Sequence, residues 1–194
     1  MIKNRVIVIG AGASGMMAAG RAAESGAKVL LLEKTGRPGQ KILISGKTRC
    51  NLTNAREMDS FIAMYGSNGR FLFSAFSRYF RDDLVEYLRC YGVKTKTERG
   101  GRIFPVSDDA SDIVRALEHY LADNRVQIKT DVPVTGILVD RGRLAGVRAG
   151  GVVFPAAAVI LATGGASYPA TGSTGDGYRM AAAVIIPLRG YVRR

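Results

Sequence analysis

Apolar residues occur along this chain in short runs that end at glycine, and the first runs predict a parallel sheet. Residues 5–9, RVIVI, are β-branched and precede Gly10, a pattern typical of a strand buried on both faces. Residues 14–25 are good helix formers that stop at Gly26, and residues 28–33, KVLLLE, repeat the pattern of a buried strand. A strand, a glycine turn, a helix and a second strand predict a βαβ unit with a right-handed crossover.

The next part of the chain predicts a long loop followed by helices. Residues 34–54 are rich in glycine and basic residues and have little regular pattern, which is typical of a functional loop. Residues 60–80 and 82–91 are amphipathic and predict two helices. Four aromatic side chains at near-helical spacing in the first stretch are expected in the core: Phe71, Phe73, Phe76 and Tyr79.

The second half of the chain adds strands and one long helix. Residues 93–104 predict a short hairpin, and Ser107 is the expected N-cap of a helix over residues 108–124. Residues 126–153 predict several short strands, and residues 156–162, AAAVILA, predict another buried strand. The pattern therefore indicates an α/β fold with a parallel central sheet and a smaller β-meander.

Composition narrows the class of protein. With 194 residues, of which 47% are apolar and 23% charged, the chain is expected to fold as one domain. No run of 18 apolar residues suggests a membrane span, and the start of the chain lacks the cleavage site of a secretory signal. Two cysteines and one histidine offer no metal-binding spacing, so we expect no metal site and a location in the reducing cytoplasm.

The charge balance admits more than one partner. There are 28 basic and 16 acidic residues, a net charge of +12, which often indicates a nucleic acid or an anionic membrane surface. The basic residues form no run of five, and neither aromatic–basic interleaving nor a known nucleic-acid motif accompanies them. A cofactor with a diphosphate or an anionic substrate would also favour positive charge. Nucleic acid is therefore kept only as an alternative.

The first chemical motif is the GxGxxG pattern of residues 10–15, which lies directly between a strand and a helix. Gly10 permits the tight turn, Gly12 lets a pyrophosphate approach the backbone, and Gly15 lets the helix pack on the strand. Glu33, at the end of the second strand, is expected to accept hydrogen bonds from adenosine ribose hydroxyls and to repel a 2′-phosphate. The alternative is a purely structural glycine turn with a surface glutamate.

Two more motifs favour FAD over NAD as the cofactor. Residues 159–165, VILATGG, resemble the strand that in two-dinucleotide flavoproteins ends at the cofactor. Residues 171–178, TGSTGDGY, open a helix and are similar to a segment of fumarate-reductase-like flavoproteins. Asp176 would suit the positive end of that helix, either beside a ligand or as an N-cap without one.

Four segments together resemble a known family: GAGASGMMAA, EKTGRPGQKILISGKTRCNLTN, RGGRIFPVSDDASDIVRAL and ILATGGASYPATGSTGDGY. They are similar to the bacterial NAD(P)/FAD-dependent oxidoreductases often labelled aminoacetone-oxidase-like. The resemblance implies a Rossmann-like fold of the two-dinucleotide flavoprotein type, in longer chains with a further inserted domain and a returning C-terminal segment. Activities in that family include amine oxidation and reduction of conjugated enones, so the substrate does not follow.

The resemblance also implies roles for individual residues. Lys41 would neutralise the pyrophosphate or hold the pyrimidine edge of the flavin, unless it is simply solvated. Ser45, Gly46 and Asn51 would lie near the isoalloxazine, and the backbone of Val134 would contact adenine. The complete set of predicted cofactor-binding residues is Gly10, Gly12, Ala13, Ser14, Gly15, Glu33, Lys34, Lys41, Ser45, Gly46, Asn51, Val134, Thr163, Gly164, Gly165 and Asp176.

Other positions weaken or limit the assignment. Thr48 stands where the family usually has glycine, which puts a left-handed backbone there in doubt. Cys50 has no neighbour that would activate a thiolate, so packing or cofactor contact is its expected role. His119 lies in a helix of ordinary pattern. No residue is identified as a catalytic acid or base.

We therefore expect residues 1–194 to be an FAD-binding domain that serves hydride transfer between NAD(P)H or a small organic substrate and an acceptor. After Met180 the sequence departs from the family, so we expect the inserted domain and the returning segment to be absent. Uncovered apolar surface would then favour self-association. The alternatives are an inactive dinucleotide-binding fragment and a basic protein associated with nucleic acid.

Overall fold

The computed structural model describes residues 4–184, and its elements follow most of the predicted order. The strands are β1 Arg5–Ile9, β2 Lys28–Leu32, β3 Thr53–Asn54, β4 Thr95–Glu98, β5 Arg102–Pro105, β6 Gln127–Lys129, β7 Val134–Asp140, β8 Arg143–Ala149, β9 Val152–Pro155 and β10 Ala158–Leu161. The α-helices are α1 Ala13–Glu24, α2 Gln40–Ile44, α3 Met58–Ala63, α4 Phe73–Phe76, α5 Arg81–Cys90, α6 Ala110–Asp123 and α7 Asp176–Ala183. Short 3₁₀ helices cover Gly66–Leu72, Arg99–Gly101 and Pro169–Thr171.

The central sheet is parallel, as predicted, with the strand order β10-β1-β2-β6. Strand β1 lies between β2 and β10, and Ile9 is in register with Leu32 on one side and Leu161 on the other. Ile7 and Val8 of this inner strand have no exposed surface. Because the strands are parallel, the chain leaves β1, β2 and β10 at the same edge of the sheet, where open α/β sheets bind ligands.

The predicted meander is the antiparallel sheet β7-β8-β9, which covers one face of the central sheet. Alternate residues of the two sheets form a common core, since side chains two positions apart point to the same face. The members of this cluster are Ile7, Ile9, Leu30, Leu32, Val147, Ala149, Ala156 and Met180. Strand β6, from the same predicted run of strands, joins the parallel sheet instead of the meander.

Helix α1 packs closely against α6 at Gly20. A Cβ atom at this glycine would lie 2.0 Å from Cε1 of Tyr120, much closer than any real contact. The ring of Tyr120 is itself buried. The absence of a side chain at position 20 therefore sets how closely the two helices approach.

The chain divides into two compact units, of which the second comprises Ile42–Ala116 and the first comprises the described residues on either side. The second unit contains the antiparallel sheet β3-β5-β4, and its β4–β5 hairpin confirms the hairpin predicted over residues 93–104. Leu88 and Phe104 are buried within this unit.

The loop predicted over residues 34–54 contains two short elements, α2 and β3. The helix prediction for the second unit is wrong. The helix expected over residues 60–80 is broken into α3, a 3₁₀ helix and α4, since Gly66 has φ +64° just after α3. Without a continuous helix the aromatic residues lose a common buried face, and Phe71, Phe73 and Tyr79 are exposed while Phe76 is half-buried.

The start of α6 also differs from the expectation. The helix begins at Ala110, and Asp109 Oδ1 accepts the N–H of Ser111 at 2.8 Å, so Asp109 and not Ser107 caps it. The Ser107 hydroxyl instead accepts the N–H of Asp109 at 3.3 Å.

Over residues 4–184 no helix combines the length and apolar character that crossing a membrane requires. The same residues hold no group of three His, Cys, Asp or Glu side chains placed to bind a metal.

Candidate functional site

The glycine turn after β1 is held by contacts that exclude side chains at two of its positions. Gly10 has φ +100°, and a Cβ there would lie 2.6 Å from the carbonyl oxygen of Ala162. A Cβ at Gly15 would lie 1.8 Å from the carbonyl oxygen of Gly10. The N–H of Gly10 donates to the carbonyl of Leu32 at 2.8 Å. These two glycines are therefore required by packing within the chain itself.

Gly12 differs from the other two glycines of the motif. It is the N-cap of α1 with φ −78° and ψ −176°, a conformation open to any residue. A Cβ at this position would meet no atom of the described residues within 4 Å. Nothing in the described chain thus requires glycine here, as expected where a ligand approaches the backbone.

The first turn of α1 offers unpaired amide groups at the same place. No side chain from residues 4–184 caps the helix, and Ala13 and Ser14 at its start are exposed. Free N–H groups and the partial positive charge of a helix N-terminus suit a phosphate. The residues present therefore fit a diphosphate-bearing cofactor.

Glu33 is held against the glycine turn by hydrogen bonds. Its Oε2 atom accepts the backbone N–H of Ala11 at 2.7 Å, and its Oε1 atom accepts the N–H and the hydroxyl of Thr35 at 2.8 and 2.9 Å. The residue is 9% exposed. A carboxylate has about four acceptor sites, so three bonds leave it one more on Oε2. Sequence reasoning missed the Ala11 amide, because a backbone donor has no residue signature.

Lys34 and Asp176, both predicted to bind the cofactor, form an ion pair. The Lys34 Nζ atom donates to Asp176 Oδ2 at 2.6 Å and to the hydroxyl of Thr174 at 2.7 Å. Burial raises the pKa of Asp176, but hydrogen bonds from Lys34 and Thr174 outweigh it and hold that pKa below its ordinary value. Arg179 also pairs with this carboxylate. Gly175 is the N-cap of α7, so Asp176 is not that cap.

The glycine end of β10 packs against the segment that precedes α7. A Cβ at Gly177 would lie 2.3 Å from the hydroxyl of Thr163, and the N–H of Gly175 donates to the carbonyl of Gly165 at 3.1 Å. Gly164 has φ +72°, with Ser173 Oγ 3.0 Å from its ideal Cβ position. The ATGG and TGDG motifs are thus one local structure.

Lys41 is not simply solvated. Its Nζ atom donates to the hydroxyl of Ser173 at 2.7 Å and lies 5.7 Å from the ring centroid of Tyr168. The same Nζ atom is 3.9 Å from the ideal Cβ position of Gly164. Neither Ser173 nor Tyr168 was singled out from the sequence, although the hydroxyl-rich run TGST was a signal for the first.

Val134 begins β7 and is half-buried against the shared core. Two residues earlier, the N–H of Val132 donates to the carbonyl of Glu33 at 2.9 Å. The chain entering β7 therefore runs beside the end of β2. The predicted contact between the Val134 backbone and adenine is compatible with this placement and remains a prediction.

Ser45, Gly46 and Asn51 belong to the second unit and form a compact loop there. Gly46 has φ +56°, and a Cβ would lie 2.7 Å from the N atom of Asn51. The carbonyl of Ser45 accepts the N–H of Cys50 at 3.0 Å. Their predicted proximity to the isoalloxazine remains a prediction from resemblance.

Thr48 adopts the left-handed conformation that its substitution for glycine had put in doubt, with φ +68°. The N–H of Ala110 donates to its carbonyl at 2.8 Å, which helps to fix that backbone. Cys50 is buried, and burial raises the pKa of its thiol, which favours the packing interpretation over a reactive thiolate.

An ion network that sequence reasoning missed holds the same loop. Arg49 pairs with Glu98 and, at 2.7 Å, with Asp108, and its guanidinium lies 4.3 Å from the ring centroid of Phe104. Lys96 joins Asp108 at 2.7 Å. This network explains the arginine at position 49 by contacts within the second unit.

Comparisons with known proteins identify a family and several relatives. The family model described as the HI0933-like protein Rossmann domain matches residues 4–189. A 3-dehydro-bile acid delta(4,6)-reductase from Clostridium scindens is 39% identical over 180 residues, and a ribosomal RNA dihydrouridine synthase from Escherichia coli is 31% identical over 175 residues. These alignments cover 92% and 90% of this chain and 43% of each relative, so the chain spans less than half of their length.

Solved structures share the fold at lower identity. The open conformation of a flavocytochrome c3 fumarate reductase superposes with a TM-score of 0.69 at 23% identity, over 93% of this chain and 40% of that one. A 3-ketosteroid delta1-dehydrogenase from Sterolibacterium denitrificans gives a TM-score of 0.66 at 17% identity, over 93% and 55% of the two chains. The similarity confirms the Rossmann-like fold.

Proposed function

The chain belongs to the HI0933-like Rossmann-domain family, and we propose that residues 1–194 are an FAD-binding domain serving a flavin-dependent reductase. The observation that carries this proposal is the start of α1. Gly12 has open space in place of a side chain, and the uncapped amides beside it lie at the ligand-binding edge of the sheet.

Different residues of the chain would bind the pyrophosphate and the ribose of FAD. The amides of Gly12, Ala13 and Ser14 would bind the pyrophosphate, and Glu33 would use its remaining acceptor site for a ribose hydroxyl. Glu33 is oriented by the Ala11 amide, so recognition of the ribose and the shape of the glycine turn are coupled.

The β10 end would face the flavin half of the cofactor. Thr163, Gly164 and Gly165 present a turn held by the α7 segment, and Lys41 places a positive charge beside Gly164. Lys34 already donates to Asp176 and Thr174, so it would hold the segment before α7 in place instead of contacting the cofactor directly. Lys34 and Asp176 are then positioning residues more than direct ligands.

The chemistry supplied by bound FAD would be hydride transfer with a reduced nicotinamide as the donor. A delta(4,6)-reductase of 3-dehydro-bile acids and a dihydrouridine synthase are each named for adding hydrogen to a carbon–carbon double bond. We therefore favour reduction of a double bond conjugated to a carbonyl group as the reaction of the whole protein. The first candidate substrate is a small molecule of this kind.

A second candidate substrate is a uridine in RNA. It is favoured by the net charge of +12 together with 31% identity to two ribosomal RNA dihydrouridine synthases, from Escherichia coli and Haemophilus influenzae. Both candidates need the same flavin chemistry and differ in what else the protein must bind.

The test of the cofactor proposal compares two glycines of one motif. We expect Gly12→Val to fold normally and to lose FAD, because its side chain would occupy the pyrophosphate position. We expect Gly15→Ala to lose stability even without cofactor, since its Cβ would meet the Gly10 carbonyl. Isothermal titration with FAD, FMN and NAD, alongside thermal unfolding of the apoproteins, separates the two effects.

Several results would count against the proposal. Unchanged FAD affinity in Gly12→Val would remove the pyrophosphate from this turn, and tighter binding of NAD than of FAD would overturn the choice of cofactor. The nicotinamide donor is tested separately, by anaerobic bleaching of the flavin absorbance with NADH and NADPH.

A further inference from the structure

An aromatic and basic surface lies in the second unit, in residues 60–81. This stretch contains seven aromatic residues and three arginines but no aspartate or glutamate. Aromatic and basic residues therefore do interleave here, contrary to the sequence expectation. Phe71 is 87% exposed, and Tyr65 and Phe73 are each 50% exposed.

The exposed rings stand on a rigid base. Phe61, Phe76 and Phe80 pack edge to face or tilted, with ring centroids 5.4 to 5.5 Å apart. Gly69 brings the 3₁₀ helix against α3, since a Cβ there would lie 2.1 Å from the carbonyl oxygen of Ile62. The segment that carries Phe71 and Phe73 is thus fixed while these two rings face solvent.

Two arginines in the same segment carry charges that no described acidic residue pairs with. Arg70 and Arg78 are exposed and form no ion pair with any residue that the structure describes. Arg81, in contrast, donates to the carbonyls of Ala55 and Arg56 and pairs with Asp82. Two exposed cations therefore lie in the same short segment as the exposed aromatic rings, and neither forms an ion pair among the described residues.

We propose that this surface, defined by Tyr65, Arg70, Phe71, Phe73 and Arg78, binds single-stranded RNA by stacking bases on its rings and pairing phosphates with its arginines. Stacking on aromatic side chains beside a positive track is how proteins bind single strands. A second copy of the chain would bring like charges together at the same patch, whereas a polyanion complements them. The proposal does not depend on FAD, so its failure and that of the cofactor site are separable.

The experiment measures binding of a fluorescein-labelled oligouridine by fluorescence anisotropy, with the full chain in the apo form and with FAD added. We expect Phe71→Leu, which keeps an apolar side chain without a ring, to weaken binding by about fivefold or more. Phe71→Tyr keeps an aromatic ring and should bind with the affinity of the wild type. Far-UV circular dichroism of each variant checks the fold, which so exposed a side chain should not affect.

The arginines are tested through the salt dependence of binding. The double variant Arg70→Gln, Arg78→Gln should reduce the slope of log K against log salt by about 1.4, because each phosphate that is no longer neutralised on a single strand lowers it by about 0.7. The matched control is the double variant Arg143→Gln, Arg148→Gln, which removes two exposed charges from β8 in the first unit. It should leave the slope almost unchanged.

Three outcomes would overturn the proposal. Phe71→Leu could bind like the wild type, the control pair could reduce the slope as much as the test pair, or inorganic polyphosphate could compete as well as oligouridine of equal charge. Each would show nonspecific attraction without stacking. Sedimentation that detects a dimer dissociated by Phe71→Leu, with no RNA binding, would assign the surface to self-association instead.

Discussion

Replacing Glu33 by glutamine should destabilise the protein before any cofactor is present. The carboxylate accepts three hydrogen bonds from Ala11 and Thr35, and Ala11 is 1% exposed. A glutamine side chain has one oxygen and one NH₂ group. If its oxygen keeps the two bonds from Thr35, the NH₂ group faces the Ala11 amide, which is then left without an acceptor.

The magnitude follows from that single orphaned donor. Leaving a buried amide unsatisfied costs about 1–3 kcal/mol, so we expect the free energy of unfolding to fall by about 2 kcal/mol. With a urea m-value of about 2 kcal/mol/M, the unfolding midpoint should move down by about 1 M. This is a large share of the roughly 5–15 kcal/mol that stabilises a typical domain.

The assay is urea unfolding of cofactor-free protein, with Thr35→Val as the matched control. That variant removes the Thr35 hydroxyl, whose single hydrogen is shared between Glu33 Oε1 and the carbonyl of Arg37, at a cost of about 0.5–1.5 kcal/mol. It leaves the hydrogen bond from Ala11 intact. Amide hydrogen exchange at Ala11 should accelerate in Glu33→Gln and not in the control. An unchanged midpoint and unchanged exchange would refute the argument, and weaker FAD binding in a Glu33 variant would then reflect only the missing hydrogen bond to the ribose.

Two further predictions concern packing and pH. Gly20→Ala should lower the free energy of unfolding by about 1–3 kcal/mol, the usual cost of overpacking, because the new methyl group meets the Tyr120 ring. In thermal melts, the double variant Gly20→Ala, Tyr120→Leu should recover part of this loss. The low pKa of Asp176 means that its pair with Lys34 stabilises the fold above about pH 4 and that this contribution is lost as pH falls through the folded-state pKa. Asp176→Asn should therefore lower stability by about 1 kcal/mol at pH 7. It should also reduce the fall of melting temperature as pH drops below about 4, and an unchanged fall in that range would contradict the prediction.

What the sequence predicted correctly was local. The β1–α1–β2 unit depends on neighbouring residues, because the apolar run before Gly10 and the helix formers after it each carry their own signal. The turn glycines could be interpreted one by one for the same reason. Only coordinates separate Gly10 and Gly15, which the chain needs, from Gly12, which it does not.

What the sequence could not predict was which residues become partners. Lys34 and Asp176 are far apart in the chain, and each alone looked like a ligand for a cofactor. Apolar periodicity over residues 60–80 indicated a buried face, yet Gly66 interrupts the helix and the rings turn outward. A period of 3.6 residues has meaning only while the helix is continuous.

The position of β1 in the sheet has a consequence for biosynthesis. Val6 pairs with Val29 on one side but with Ala158 on the other, so the second partner leaves the ribosome about 150 residues after the first strand. At about 5–20 residues per second, one side of β1 stays unpaired for about 8–30 s while the rest of the chain is made. The nascent protein therefore carries an unpaired side of β1 during that interval. The end of the sheet at which β1, β2 and β10 meet is complete only after β10 has docked.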